Sequence, residues 1–77
     1  VDVLGGSRTA ILTQLDLPMS TTHLAYQLKL TAPTVNVHLK ALERAGIVTS
    51  HRHGRDVLYH RTPVGEQLIA AASLGAA

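Results

Sequence analysis

Apolar residues recur along this chain with two different periods, and the change between them divides it. From Ser7 onward Ala10, Ile11, Leu12 and Leu15 follow helical spacing, with Leu4 ahead of them, and Pro18 closes this first helix. Ser7 is its expected N-cap, because the Gly5-Gly6 pair weakens any helix before it. Met19 and Ser20 read as a short extended link. Ser20 then caps a second helix whose inward side is Thr21, Leu24, Ala25 and Leu28. Only Lys29 and Leu30 separate that helix from the next cap, so the two must cross steeply.

The third helix is expected over about 32–45. Thr31 caps its first N–H groups, Pro33 falls in the first turn, where its missing N–H costs little, and Gly46 supplies the left-handed stop. At 100° per residue Val35, Leu39 and Leu42 make one stripe. Pro33, Asn36, Val37, Lys40, Ala41 and Arg44 lie opposite. One face is core, and the other mixes cations, an amide and small apolar groups.

After Gly46 the period changes to two. Ile47 to Arg52 and Asp56 to Arg61 read as strands, with a wing over about 47–61 and His53-Gly54 as the tight turn. A two-residue loop there pairs Arg52 with Arg55, Ser50 with Val57 and Val48 with Tyr59 on one face. Ile47, Thr49, His51, Asp56, Leu58 and His60 take the other face. Thr62-Pro63 is a cap and first helical position, opening a fourth helix that turns Val64, Leu68, Ile69 and Ala72 inward and fades at Gly75. The order is helix, helix, helix, strand, strand, helix. It predicts a mainly α protein with a small β-hairpin, a winged helix-turn-helix, as one domain over 1–77 without repeats or linkers.

Composition narrows what such a domain can do. With 77 residues and no cysteine, neither disulfides nor a thiolate metal site can hold the chain, and a 45% hydrophobic content must form the core. The aromatics are Tyr26 and Tyr59 alone, too few for the stacking platforms of single-strand binders. A net charge of +2 and a pI near 9.5 permit a polyanionic partner. No apolar run is long enough to span a bilayer and the N-terminus lacks a signal-peptide pattern, so a cytoplasmic location is expected. Because the sequence begins at Val1, we expect it to be a piece of a longer chain.

The exposed stripe of the third helix is the first candidate for chemistry. A solvated face is its ordinary explanation, yet Val37 gains nothing in water, and contact with a thymine methyl is work for an apolar side chain in the major groove. Asn36 suits adenine, Lys40 and Arg44 suit phosphates, and Thr31, Pro33, Thr34 and His38 border the same surface. Arg52, His53, Gly54 and Arg55 form the second candidate. Two arginines facing each other repel, and a phosphate or narrow minor groove relieves that repulsion.

Other chemistries find less support. Residues i and i+2 on a strand share a face, so His51, His53 and His60 are the residues from which a metal site would be built. His53 falls in the expected turn, however, and no carboxylate besides Asp56 is placed to complete a shell. A His51–Asp56 surface hydrogen bond is the simpler expectation. Neither a metal nor another cofactor is expected. Ser7, Ser20 and Ser50 have cap or strand roles, and Asp2, Asp16, Glu43, Asp56 and Glu66 are scattered singly, so no catalytic constellation emerges. The competing function is a winged helix used for protein contact or dimerisation, with little affinity for DNA.

Three stretches carry a resemblance to a known family. They are Leu4-Gly5-Gly6-Ser7-Arg8-Thr9-Ala10-Ile11-Leu12, Ser20-Thr21-Thr22-His23-Leu24-Ala25, and Thr34 through Val48 with its core Asn36-Val37-His38-Leu39-Lys40. Together with Gly54-Arg55-Asp56-Val57-Leu58-Tyr59-His60-Arg61-Thr62-Pro63-Val64-Gly65, they resemble the ArsR/SmtB-type winged-helix transcriptional regulators over nearly the whole chain. Versions of the domain at the C-terminal end of longer actinobacterial-type regulators are similar in wording. The resemblance implies a homodimer that represses from operator DNA until an inducer, whose identity these residues do not specify, loosens it. Two departures stand out. Thiolate-sensing members carry cysteines on the second helix, where this chain reads Leu24-Ala25-Tyr26-Gln27-Leu28, and members commonly place Arg, Gln or another polar base-reader at the position of Val37. The first and last helices are the surfaces left for dimerisation, and Ala70, Ala71, Ala72 and Leu74 permit close helix approach.

Overall fold

A computed structural model describes residues 6–76, with side chains through residue 71. Leu4, Ala72 and Leu74, which figure in the sequence expectations, therefore lie outside the residues whose side chains are described. The elements are α1 (Gly6–Gln14), β1 (Met19–Ser20), α2 (Thr21–Leu28), α3 (Ala32–Arg44), β2 (Val48–His53), β3 (Asp56–Arg61) and α4 (Pro63–Ala76). The fold is the expected winged helix-turn-helix, with a small strand added. Met19 and Ser20 pair antiparallel with Tyr59 and Leu58, so the extended link becomes the third strand of a sheet ordered β1-β3-β2.

The caps explain the helix boundaries. The Ser20 hydroxyl accepts the His23 N–H at 3.1 Å, and the Thr31 hydroxyl accepts that of Thr34 at 3.3 Å. Lys29 takes φ 57° after α2, and Gly46 takes φ 76° beyond α3. Helix α1 differs from expectation: it is already helical at Gly6, the first described residue, which places Ser7 inside rather than at the cap, and it stops at Gln14, before Pro18. Helix α4 continues through Gly75 to Ala76. Ile11, Leu12, Leu15, Leu24, Ala25, Val35, Leu39, Leu42, Ile47, Val48 and Tyr59 form one core beneath the three helices and the inner face of the sheet.

Hairpin register departs from expectation. Arg52 faces Val57, Ser50 faces Tyr59 and Val48 faces Arg61, with Gly54-Arg55 as the loop instead of His53-Gly54. Tight hairpin turns require positive φ at the first loop residue. Gly54 adopts 64° there without a Cβ penalty, whereas the expected loop would force His53 into that region. Each pairing moves by two residues, so the faces keep their membership within the strands, whereas Ile47, expected on the outer face, precedes β2 and is buried in the core. Arg52 and Arg55 are no longer opposed, and the repulsion expected between them is removed. His53 belongs to β2 opposite Asp56, and His51 lies opposite Leu58, not paired with Asp56.

The start of α4 is also corrected. Val64 is 52% exposed, and Gly65 takes the inward position, where a Cβ would run into the Ile47 carbonyl oxygen. Thr62 fastens this close approach: its hydroxyl lies 2.6 Å from Gly46 O and 3.0 Å from Ile47 O, and accepts the Gly65 N–H. Arg61 Nε sits 2.9 Å from Glu66 Oε1 but outside hydrogen-bonding direction, so the pair is an ionic contact only.

Candidate nucleic-acid interface

Helix α3 carries the candidate surface because its inner stripe is fully engaged. Val35, Leu39 and Leu42 are buried, which fixes the rotation of the helix and turns Asn36 and Val37 outward. Val37 is 64% exposed, a branched apolar side chain among the amide and cations of this face. Among the described residues, neither Asn36 nor Val37 is engaged by a polar partner.

The polar residues around them are more committed. The Thr34 hydroxyl accepts the Thr31 hydroxyl at 2.8 Å, which secures the first turn and leaves Pro33 exposed beside it. Arg44 Nε reaches back to Lys40 O at 3.4 Å. Lys40 Nζ lies 3.7 Å from Glu43 Oε1 and 5.9 Å from the Tyr59 ring centroid. Tyr59 is the leading influence that raises the Lys40 pKa above its ordinary 10.5, chiefly through its hydroxyl, followed by Glu43. Lys40 thus stays charged while leaning toward the sheet.

Two structures flank the helix. On one side Ser50 Oγ donates to Glu43 Oε2 at 2.9 Å, so the hairpin is fastened to the last turn of α3. Arg52, His53, Gly54 and Arg55 are all exposed at its far end, free of ion pairs among the described residues. On the other side Arg8 Nε donates to His38 Nδ1 at 3.3 Å, tying α1 to α3. His38, one of the residues expected to border this surface, is half-buried and held by Arg8. Sequence reading assigned Arg8 no role at this surface, since residues 30 positions apart share no spacing signal.

The outer face of the hairpin brings His51 and His60 together edge to face, with ring centroids 5.3 Å apart. Among the described residues no three His, Asp or Glu side chains gather as metal ligands. Ser20 and Ser50 are occupied as a cap and a strand-to-helix bond, respectively. No described helix is long and apolar enough to cross a membrane.

Comparison with known proteins agrees with this architecture. Residues 6–51 match the family profile described as a helix-turn-helix domain. The HTH-type transcriptional repressor SmtB of Mycobacterium tuberculosis is 45% identical over 53 residues, covering 68% of this chain. The chain spans only 39% of that relative's length. Among solved structures, the apo form of a mutant Lactococcus lactis ZitR superposes with a TM-score of 0.87 at 24% identity, covering 94% of this chain and 58% of that one. The adhesin competence repressor AdcR of Streptococcus pyogenes gives a TM-score of 0.88 at 17% identity, with 95% and 56% covered. At such identities these two speak for the fold. The chain belongs to the family described as a helix-turn-helix domain, and over 53 of its residues it is similar to a transcriptional repressor of the SmtB type.

Proposed function

We propose that this domain binds double-stranded operator DNA as half of a homodimer and acts as a transcriptional repressor. Helix α3 enters the major groove, and the wing lies along the flanking backbone or minor groove. The observation that carries this reading is the pair Asn36 and Val37, outward on a helix whose inner stripe is locked in the core. Asn36 pairs with an adenine edge and Val37 packs on a thymine methyl. Thr31, Pro33 and Thr34 approach the groove with the first turn of α3, while Lys40, Arg44 and His38 border phosphates. Arg52, His53, Gly54 and Arg55 supply the wing contact. The match to a relative named a transcriptional repressor supports the regulatory role.

Two-fold binding needs recognition helices separated by about 34–36 Å, one turn of DNA. We assign α1 and α4 to the dimer surface, where Ala70 and Ala71 are exposed and small enough for close approach. Selection from random duplexes at low ionic strength, followed by sequencing, tests binding, half-site spacing and base preference together. An A·T pair shared among selected half-sites is the expected result. Absence of a salt-dependent shift with every duplex favours the protein-contact reading, for which Tyr26 and Leu17, 81% and 67% exposed, offer apolar surface.

A further inference from the structure

We infer that Arg8 of α1 is a DNA-phosphate contact, held in place by His38, which extends the DNA surface beyond the helix-turn-helix and wing. This inference rests on the DNA-binding reading above.

A helix lying in the major groove has a phosphate wall on each flank. The Glu43–Ser50 bond and the approach of Lys40 to Tyr59 place the hairpin against one flank of α3. Arg52 and Arg55 therefore belong to that side. His38 lies on the opposite flank, 100° from Val37 and five residues from Glu43 along a helix of 3.6 residues per turn. Among the described residues, the cation that the fold brings to His38 is Arg8. Without Arg8, this flank loses the positive charge that His38 fixes there.

The bonding pattern prepares Arg8 for an anion. A guanidinium has five N–H donors, and here the Nε–H is used, on His38 Nδ1. Among the described residues its two Nη groups have no partner and no carboxylate neutralises it. Arg8 is part-exposed, so its free donors remain accessible. Accepting at Nδ1 requires His38 to be the neutral Nε2–H tautomer. In that state His38 adds no competing charge, steers the guanidinium, and keeps Nε2–H as a further neutral donor. The planar fork of arginine suits a phosphate with two donors at once.

The test compares the salt dependence of binding to the selected operator for wild-type protein, Arg8→Gln, Arg8→Lys and His38→Ala, with thermal unfolding measured in parallel. A phosphate contact contributes about 0.9 to the slope of log K against log salt. Arg8→Gln should lower that slope by about 0.9 per subunit, weakening binding by about fifteenfold per subunit at 0.05 M salt relative to 1 M. Arg8→Lys keeps the charge and should keep the slope. His38→Ala leaves the charge but removes its anchor, and should weaken binding less than Arg8→Gln does. A wild-type slope in folded Arg8→Gln overturns the inference, including when overall affinity falls, because a purely structural role leaves the ion count unchanged. If Arg8→Gln does not fold, the same slope in Arg8→Lys and a lower one in Arg8→Met decide for the contact, and equal slopes decide against it. Failure of the wild-type protein to bind any duplex instead overturns the DNA-binding reading itself.

Discussion

The two sides of α3 differ in what fixes their residues. Inward, Val35, Leu39 and Leu42 are buried against α1, α2 and the sheet, and every one of them helps hold the helix in place. Outward, Asn36 and Val37 contribute nothing visible to that framework. A rigid inner stripe lets an outer face be selected for recognition alone. Stability and binding should consequently separate by face, and substitutions on the two sides offer direct ways to break that division.

The largest effect is expected from the inner side. Leu39→Ala removes a fully buried side chain at the centre of the core and should cost about 2–5 kcal/mol in urea unfolding, with DNA binding lost through unfolding. For a domain this small, such a loss is a large part of the total stability. Measured destabilisation below about 1 kcal/mol would show that the inner stripe does not fix the helix. Gly65→Ala tests the outlying support of the same framework, because a Cβ there meets the Ile47 carbonyl and forces α4 away from the start of the wing. Overpacking of this kind costs about 1–3 kcal/mol, read as a lower urea midpoint. A variant as stable as wild type would mean that the Thr62 junction yields easily.

These two sites also mark how far the sequence could be read. The bounds of α3 were legible because Thr31, Pro33 and Gly46 act locally, each through its own backbone preference. The same holds for the Ser20 cap and, within the strands, for the membership of the hairpin faces, which depends on alternation, while Ile47 precedes β2 and turns into the core where alternation placed it outside. Hairpin register was not legible from alternation, since a two-residue shift leaves the faces intact and only the conformation of Gly54 decides between registers. Strand β1 is two residues long and exists through pairing with β3, a tertiary effect no local pattern announces. Gly65 took the inward place expected of Val64 because the backbone of Ile47 comes too near for a side chain. At the candidate site, Asn36 and Val37 followed from helical periodicity, while the Arg8–His38 bond required the folded chain.

The outer side should show the reverse behaviour. Val37→Ala removes no buried contact, so its unfolding free energy should stay within about 0.5 kcal/mol of wild type. In binding, replacing the contacted thymine by uracil in the selected operator deletes one methyl group, worth about 0.8 kcal/mol or roughly fourfold in affinity. Val37→Ala should weaken binding to the thymine operator and flatten its preference over uracil. Equal affinity of wild-type protein for thymine and uracil at every half-site position would remove Val37 from base recognition. Destabilisation of several kcal/mol by Val37→Ala would break the separation of the faces altogether.

Lys40 stands between the two sides, exposed like Val37 yet drawn toward Tyr59 and Glu43, and it should give the smallest effect. Its pKa is raised above 10.5 by Tyr59 first and Glu43 next, so the folded protein holds this proton more tightly than the unfolded chain. The stabilisation from that shift is fully present below pH 10.5 and is lost as pH rises through the raised folded-state value. The melting-temperature difference between wild type and Lys40→Gln should therefore be constant near neutrality and shrink in alkaline solution. A difference independent of pH would place Lys40 wholly with the outer face. Glu43→Gln carries the comparison into binding: it removes the carboxylate that competes with phosphate for Lys40 while keeping an acceptor for Ser50. Tighter DNA binding with little change in melting temperature is the expected outcome, because an exposed pair of this kind contributes little to folding and its charge is then left to the groove.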